Sequence, residues 1–294
     1  MNHFVANSNH KRVQRRLFAN RVAQSIFFVA TLFCLLVLSV LFYRVITQSW
    51  GWLDFQFLIS KLSTNPQKAG IAGPLLGTFW LMLVVAPVAF VLGVGTAIYL
   101  EEYAKRGRLH SLIQTNIANL AGVPSIVFGL LGLTLFVRAA DLGNVVLAGG
   151  LTLALLVLPI VVVASQEALR AVPQELREAS YAMGATKWQT IRHVVLPAAL
   201  PGILTGVILA LSRAVGETAP LVVIGIPALL IPLPTGLLDK FTALPLQIYY
   251  WTIDSALVAE YAHLAACTIV ILLLVMLAMN SAAILIRNRF QQRF

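Results

Sequence analysis

Six long stretches, over about 22–46, 70–100, 111–137, 142–166, 198–231 and 261–286, carry only three charged residues between them, Arg44, Arg213 and Glu217. About 20 apolar residues cross the hydrocarbon core of a bilayer as a helix. The six runs therefore predict an all-α polytopic membrane protein with six transmembrane helices. Apolar residues make up 59% of the chain and charged ones 11%, against about 25% charged in soluble domains. This excludes a soluble enzyme, a disulfide scaffold, a disordered chain and a single-span receptor.

The basic residues sit between the runs, so the formal charge of +10 reflects membrane topology and not nucleic acid. Alternate gaps, with both tails, hold fifteen Lys and Arg on one face, among them Lys11, Arg12, Arg106 and Arg293. The opposite face holds four: Lys61, Lys68, Arg138 and Lys240. The excess marks the cytoplasmic side and places both termini there. Residues 1–21 read as a basic cytoplasmic tail, and residues 22–294 as one transmembrane domain. The first run lacks a small-residue cleavage site and is too long for a signal-peptide core, so it reads as a retained span. Cys34 and Cys267 lie far apart inside apolar runs and read as small core hydrophobes. The aromatic residues of 48–68 and 232–260, Phe57 and Trp251 among them, read as interface anchors. The second of these segments is expected on the membrane surface, partly as a short helix. Pro87, Pro124, Pro159 and Pro220 fall within runs. Broken helices are tolerated in a bilayer where protein or a wet cavity satisfies the freed backbone, which favours a transporter or channel over a passive anchor.

The segment 167–197 predicts two short helices joined by a sharp turn. Pro173 suits a first helical position, and Glu175 and Glu178 follow where the helix dipole favours acids. Leu176, Ala179, Ala182 and Met183 form an apolar stripe. Gly184 suits a left-handed cap, and Thr186 can cap a second helix whose stripe is Trp188, Ile191 and Val195. By itself such a hairpin is equally an amphipathic connector resting on lipid headgroups.

Arg213 and Glu217 are the other outlying feature. Arg213 lies about 24 Å along a helix from Pro197 at ~1.5 Å per residue, deep in the bilayer, where a charge costs roughly 2.5–3.5 kcal/mol on insertion scales. The i, i+4 spacing permits a structural ion pair. It equally permits an anion pathway: guanidinium geometry matches an oxyanion, and the neighbouring carboxylate weakens its hold. The carboxylate can also accept a hydrogen bond from a protonated oxyanion, which would favour phosphate over sulfate.

Two sets of residues carry a family resemblance. Glu178-Ala179, four residues, Gly184, twelve residues and Pro197 resemble the EAA loop of importer-type ABC permeases, with Ser180 where that family usually has alanine. Arg213-Ala-Val-Gly216-Glu217-Thr218-Ala219-Pro220, Leu120-Ala-Gly-Val-Pro124-Ser125-Ile-Val-Phe-Gly129 and Leu244-Pro245-Leu-Gln247-Ile-Tyr249 resemble the permeases of phosphate ABC importers. The resemblance spans roughly residues 70–290. It implies the type I ABC importer permease (MetI/ModB-like) fold, in the cytoplasmic (inner) membrane of a bacterium. It places Arg213 and Glu217, with Ser125, on the substrate pathway. It makes the first short helix a coupling helix whose Glu178, Ala179, Ser180, Gly184 and Ala185 dock on an ATPase.

The partners so implied are a PstC-like second permease subunit, two copies of an ATP-binding subunit, an extracytoplasmic phosphate-binding protein and membrane lipid, with no nucleic acid. PstC usually carries Met after the Thr of the Arg-Ala-x-Gly-Glu-Thr segment, and Thr218-Ala219-Pro220 departs from it. No cofactor or metal is expected: the chain has no Gly-Lys pair and hence no Walker A loop, so ATP is hydrolysed elsewhere and the chain is no enzyme. The competing readings are an ABC permease for sulfate or molybdate, an ion-coupled secondary transporter, and a passive membrane scaffold. A self-sufficient carrier has no use for a docking loop.

Overall fold

The computed structural model describes residues 2–105, 107–229 and 232–290, with only the backbone for 2–12 and 290. Arg106, Ile231 and Arg293 lie outside the described residues, as do the side chains of Lys11 and Arg12. The described residues are helical with no strand, apart from an isolated bridge between Val145 and Lys240. Five helices are long and apolar enough to cross a membrane, and six when one bent pair counts as a span.

The chain forms two compact units, residues 1–50 and 51–294. The first is a single helix, α1 (Asn2–Ser49), so the basic tail is itself helical and continues into the first span. From Val13 to Phe42 the large apolar side chains of α1 are exposed, and so is Cys34, unlike the expected core cysteine. Its hydroxyls bond back one turn, Thr31 to Phe27 O at 2.8 Å and Ser39 to Leu35 O at 2.8 Å. No free donor is thereby left toward lipid at these positions.

The second unit opens with α2 (Phe55–Ile59) and α3 (Ala72–Ile98), which ends in a π turn, Tyr99–Tyr103. The helices α4 (Arg108–Leu120) and α5 (Ser125–Gly132) follow, then α6 (Val146–Arg170). Two short helices, α7 (Gln174–Ala182) and α8 (Lys187–Thr190), lead through a π turn into α9 (Leu196–Gly216). The unit ends with α10 (Ala219–Ile224), α11 (Leu244–Asp254) and α12 (Glu260–Phe290).

α6 is the hub, packed between α3 and α9. In lipid, helices associate through close backbone approach more than through hydrophobic drive, so small residues mark the seams. Gly202 and Gly206 on α9 face Ala168 and Ala164 on α6, both pairs four residues apart; a Cβ at Gly202 would lie 2.8 Å from Ala168 Cβ, and one at Gly206 would overlap Ala164 Cβ. Gly93 of α3 admits Val161 in the same way. On the far side of α9, Ser212 donates to Asn280 of α12, and Arg287 donates to Thr205 at 3.2 Å. Gly206→Val is expected to force α6 and α9 apart and to destabilise the subunit by about 1–3 kcal/mol, the usual range for overpacking. A lowered thermal unfolding midpoint in detergent, with Gly95→Val (a site with open space around its Cβ) as the harmless control, checks this.

Two runs and one segment between runs differ from their sequence reading. The third run is bent by 103° between α4 and α5. The bend falls at Gly122 and Pro124, since a proline disfavours helical backbone at the residue before it and lacks its own N–H. The fifth is not continuous to 231: α9 stops at Gly216, and α10 begins after Glu217 and Thr218. Segment 232–260 does form a short helix, α11, and it packs against α12 and α3. Leu244, Leu246, Gln247 and Trp251 are buried, and so is Phe57, so Phe57 and Trp251 are core residues and not interface anchors, whereas Trp50, Phe55 and Tyr249 are exposed. Cys267 is buried as expected. The loop before α11 caps α6: Leu237 O and Asp239 O accept from Leu147 N and Val146 N at 2.9 and 3.0 Å. Trp80 Nε1 donates to Pro234 O at 3.2 Å. Asp239 itself accepts from the Thr235 hydroxyl and from the Thr235 and Gly236 amides, which holds its carboxyl below the usual carboxylate range.

Candidate functional site

Arg213 and Glu217 meet where α9 breaks. Arg213 occupies the last turn of α9, where a cation complements the free carbonyls of the helix end. Glu217 is the C-cap, in extended conformation, with its N–H on Ala214 O at 3.3 Å. The guanidinium Nε donates to Glu217 Oε1 at 3.1 Å. The two therefore touch as the i, i+4 spacing predicts, but across a helix end and not along a continuous helix. The Arg213 side chain is 46% exposed and that of Glu217 16%. Among the described residues, the two terminal nitrogens of Arg213 make no hydrogen bond. Its forked outer edge is the part that can grip an oxyanion with two parallel bonds.

The half-helix α10 is held at both ends. Pro220 stands at its start, and Gly225, in left-handed conformation with φ +83, closes it. Asn144 Nδ2 donates to Gly225 O at 3.0 Å, and the Tyr250 hydroxyl donates to Ile226 O at 2.9 Å. α5 packs against α10: a Cβ at Gly129 would lie 2.8 Å from Pro220 Cα. Ser125 is the first residue of α5, one turn before Gly129, and half-buried. The structure thus brings the Ser125 helix against the helix that follows Glu217, without joining the Ser125 hydroxyl to the ion pair. α5 and α10, each of which begins just after a helix break in an apolar run, pack together, and the break before α10 carries the Arg213–Glu217 ion pair.

Segment 167–197 folds as its residues predict. Pro173 precedes α7, Gly184 has φ +83, and Thr186 with Gln189 forms a reciprocal capping box at α8. The stripe on α7 divides. Leu176 is half-buried against the core, but Ala179, Ala182 and Met183 face outward with Tyr181; Met183 is 88% exposed. On the second helix Ile191 and Val195 are buried, whereas Trp188 is exposed. Glu178, Ala179 and Gly184 are exposed, and Ala185 is half-buried. Ser180 turns inward and its hydroxyl bonds that of Thr190 at 2.9 Å, which staples α7 to α8. The surface so presented has a small-residue turn, the Glu178 carboxylate and protruding apolar side chains.

Sequence reasoning missed the residues that hold this hairpin to the bundle. Glu101 and Glu102 lie on the π turn after α3. Glu101 accepts from Gln166 at 3.0 Å and from Arg170 at 2.6 Å, both on α6. Glu102 accepts from Arg177 of α7 at 3.0 Å. Lys187 sits 5.1 Å over the Tyr103 ring. The adjacent carboxylates at the end of an apolar run were the available signal, together with the arginine beside the Glu178 motif.

Comparison with known proteins places these features. Residues 89–293 match the family model described as binding-protein-dependent transport system inner membrane component. The chain is 40% identical over 218 residues to the phosphate transport system permease protein PstA 1 of Mycobacterium tuberculosis, covering 71% of this chain and 70% of that one. It is 31% identical over 278 residues to the phosphate transport system permease protein PstA of Yersinia pestis, covering 94% and 92%. Among solved structures, a chain of the inward-facing MetNI methionine ABC transporter superposes with a TM-score of 0.58 at 20% identity, covering 74% of this chain and 94% of that one.

Proposed function

Because this chain belongs to the family of binding-protein-dependent transport system inner membrane components, we propose that it is the permease subunit through which an ATP-driven importer passes phosphate. Members of this family are transport subunits of the inner membrane with the type I importer fold. They work with a separate ATPase and a substrate-binding protein, so this chain transports and does not catalyse. The observation that carries the phosphate reading is the Arg213–Glu217 pair at the break between α9 and α10, with the open fork of its guanidinium; the names of the relatives agree with it.

In this reading residues 22–294 are the permease domain, and residues 1–21 a cytoplasmic extension of the first helix. Both termini face the cytoplasm, the side that the excess of basic residues favours. A PstC-like subunit covers the second half of the pathway, and two ATP-binding subunits sit beneath the pair. An extracytoplasmic phosphate-binding protein delivers the anion. Phosphate meets the free edge of Arg213, and Glu217 keeps the charge there from trapping it. Ser125, at the start of α5, offers a hydroxyl beside the same breaks. Glu178, Ala179, Ser180, Gly184 and Ala185 form the surface that the ATPase grips, and its movement opens the pathway alternately to each side.

Phosphate near neutral pH carries a proton and sulfate does not, so Glu217 can accept a bond from the one and repels the other. Glu217→Gln, which supplies both a donor and an acceptor, is expected to lower phosphate-over-sulfate discrimination about tenfold, near the value of one charge-assisted hydrogen bond. Competition of sulfate against labelled phosphate uptake measures it. Unchanged discrimination removes Glu217 from the selectivity site.

A further inference from the structure

The docking helix α7 has little apolar hold on the bundle it is meant to move. Each of its residues is exposed or half-buried, and only Leu176 packs against the core. Beside it lies an open cavity of about 570 Å³, whose walls include Glu101, Glu102, Arg170, Glu175, Arg177 and Lys187. Besides the Leu176 contact, polar bonds tie α7 to its surroundings, and those that reach α3 and the end of α6 converge on one residue.

Arg177 Nη1 donates to Val172 O at 2.7 Å; its Nη2 donates to Leu169 O at 2.9 Å and to Glu102 Oε1 at 3.0 Å. One guanidinium thereby joins α7, the carbonyl end of α6 and the π turn that ends α3. The Arg177 and Glu102 side chains are only 12% and 8% exposed, where a charge-assisted bond is screened least. The neighbouring Glu101 ties the same π turn to α6 through Gln166 and Arg170. On its other flank α7 is held to α8 by Ser180 and Thr190.

We propose that Arg177 and Glu102 are positioning residues that form the joint carrying movement of α7 to α3 and α6. This rests on the reading of α7 as the ATPase-docking element. Glu102 is the residue to change, because Arg177 keeps its two carbonyl partners without it and the hairpin stays folded.

In the reconstituted importer, Glu102→Ala is expected to retain the ATPase on co-purification while the ATP hydrolysed per phosphate imported rises about tenfold, within the range of measured coupling effects. Glu102→Gln keeps an acceptor oxygen of the same reach and recovers most of the coupling. A merely structural role lowers hydrolysis and import together, and an unchanged ratio overturns the joint. Absence of uptake by the wild-type assembly overturns the phosphate reading instead. The joint is then still decided by the distance between nitroxides at Ala182→Cys on α7 and Gly95→Cys on α3, with Cys34 and Cys267 replaced by alanine. ATP should leave that distance unchanged with Glu102 present and shift it in Glu102→Ala. A distance that behaves alike in both backgrounds overturns the proposal.

Discussion

Arg213→Gln is expected to reduce phosphate import by roughly 100-fold, the upper value of about 3 kcal/mol for hydrogen bonds to a charged group, while the ATPase still docks. The argument rests on what each part of the side chain does. Nε is already committed to Glu217 at 3.1 Å. The fork beyond it has no partner among the described residues, so an oxyanion gains two parallel bonds without breaking one. Glutamine has similar reach but neither the charge nor the fork. Arg213→Lys separates the two contributions: it restores charge without bidentate geometry and should recover only part of the rate. The proposed docking surface on α7 and α8 lies elsewhere in the chain and keeps its own bonds, so co-purification of the ATPase should not change. Uptake close to the wild-type rate in Arg213→Gln would make the ion pair structural, a stitch across the end of α9 and no more.

Gly184→Val is expected to separate the two halves of the machine. The residue has φ +83, a region that a β-branched side chain enters only with strain of about 1–3 kcal/mol. Yet a Cβ there would meet nothing within 4 Å. The chain itself therefore has room, and the penalty falls on the turn and on whatever docks against it. Import should drop by at least tenfold, since ~1.4 kcal/mol is a factor of ten, and ATPase co-purification should weaken. Assembly with the second permease subunit should be unaffected. Gly184→Asn tolerates left-handed backbone and should retain much of the activity if conformation is what matters. If Val and Asn are equally harmful, the bare surface at 184 is what the partner reads; if neither harms import, the docking assignment fails.

How far the sequence was legible follows from which interactions are local. The hairpin of α7 and α8 could be read residue by residue, because Pro173, Gly184 and Thr186 each act on their own turn. The Arg213–Glu217 contact was legible for the same reason. The end of α9 was not, although its signs were present: Pro220 at a helix start and Gly225 just past a helix end are the usual asymmetry, hidden inside an apolar run. Gly122 and Pro124 hid a bend of 103° in the same manner. Burial of α11 depends on Leu244, Leu246 and Trp251 meeting distant helices, which no local pattern records. The pairing of Glu102 with Arg177 spans 75 positions, and the π turn that presents Glu101 and Glu102 leaves no periodicity to detect. The seam of Gly202 and Gly206 against Ala168 and Ala164 was visible as a spacing of four small residues, but only the packed bundle says which helices it joins.

The most direct measurement is uptake of labelled phosphate into proteoliposomes that hold this chain, a PstC-like subunit, the ATPase and the binding protein, with each omitted in turn. Uptake that requires ATP and every one of these components, and that excess sulfate does not suppress, is the result expected of a phosphate importer. Uptake driven by an ion gradient in the absence of the ATPase would contradict it and make the chain a secondary carrier.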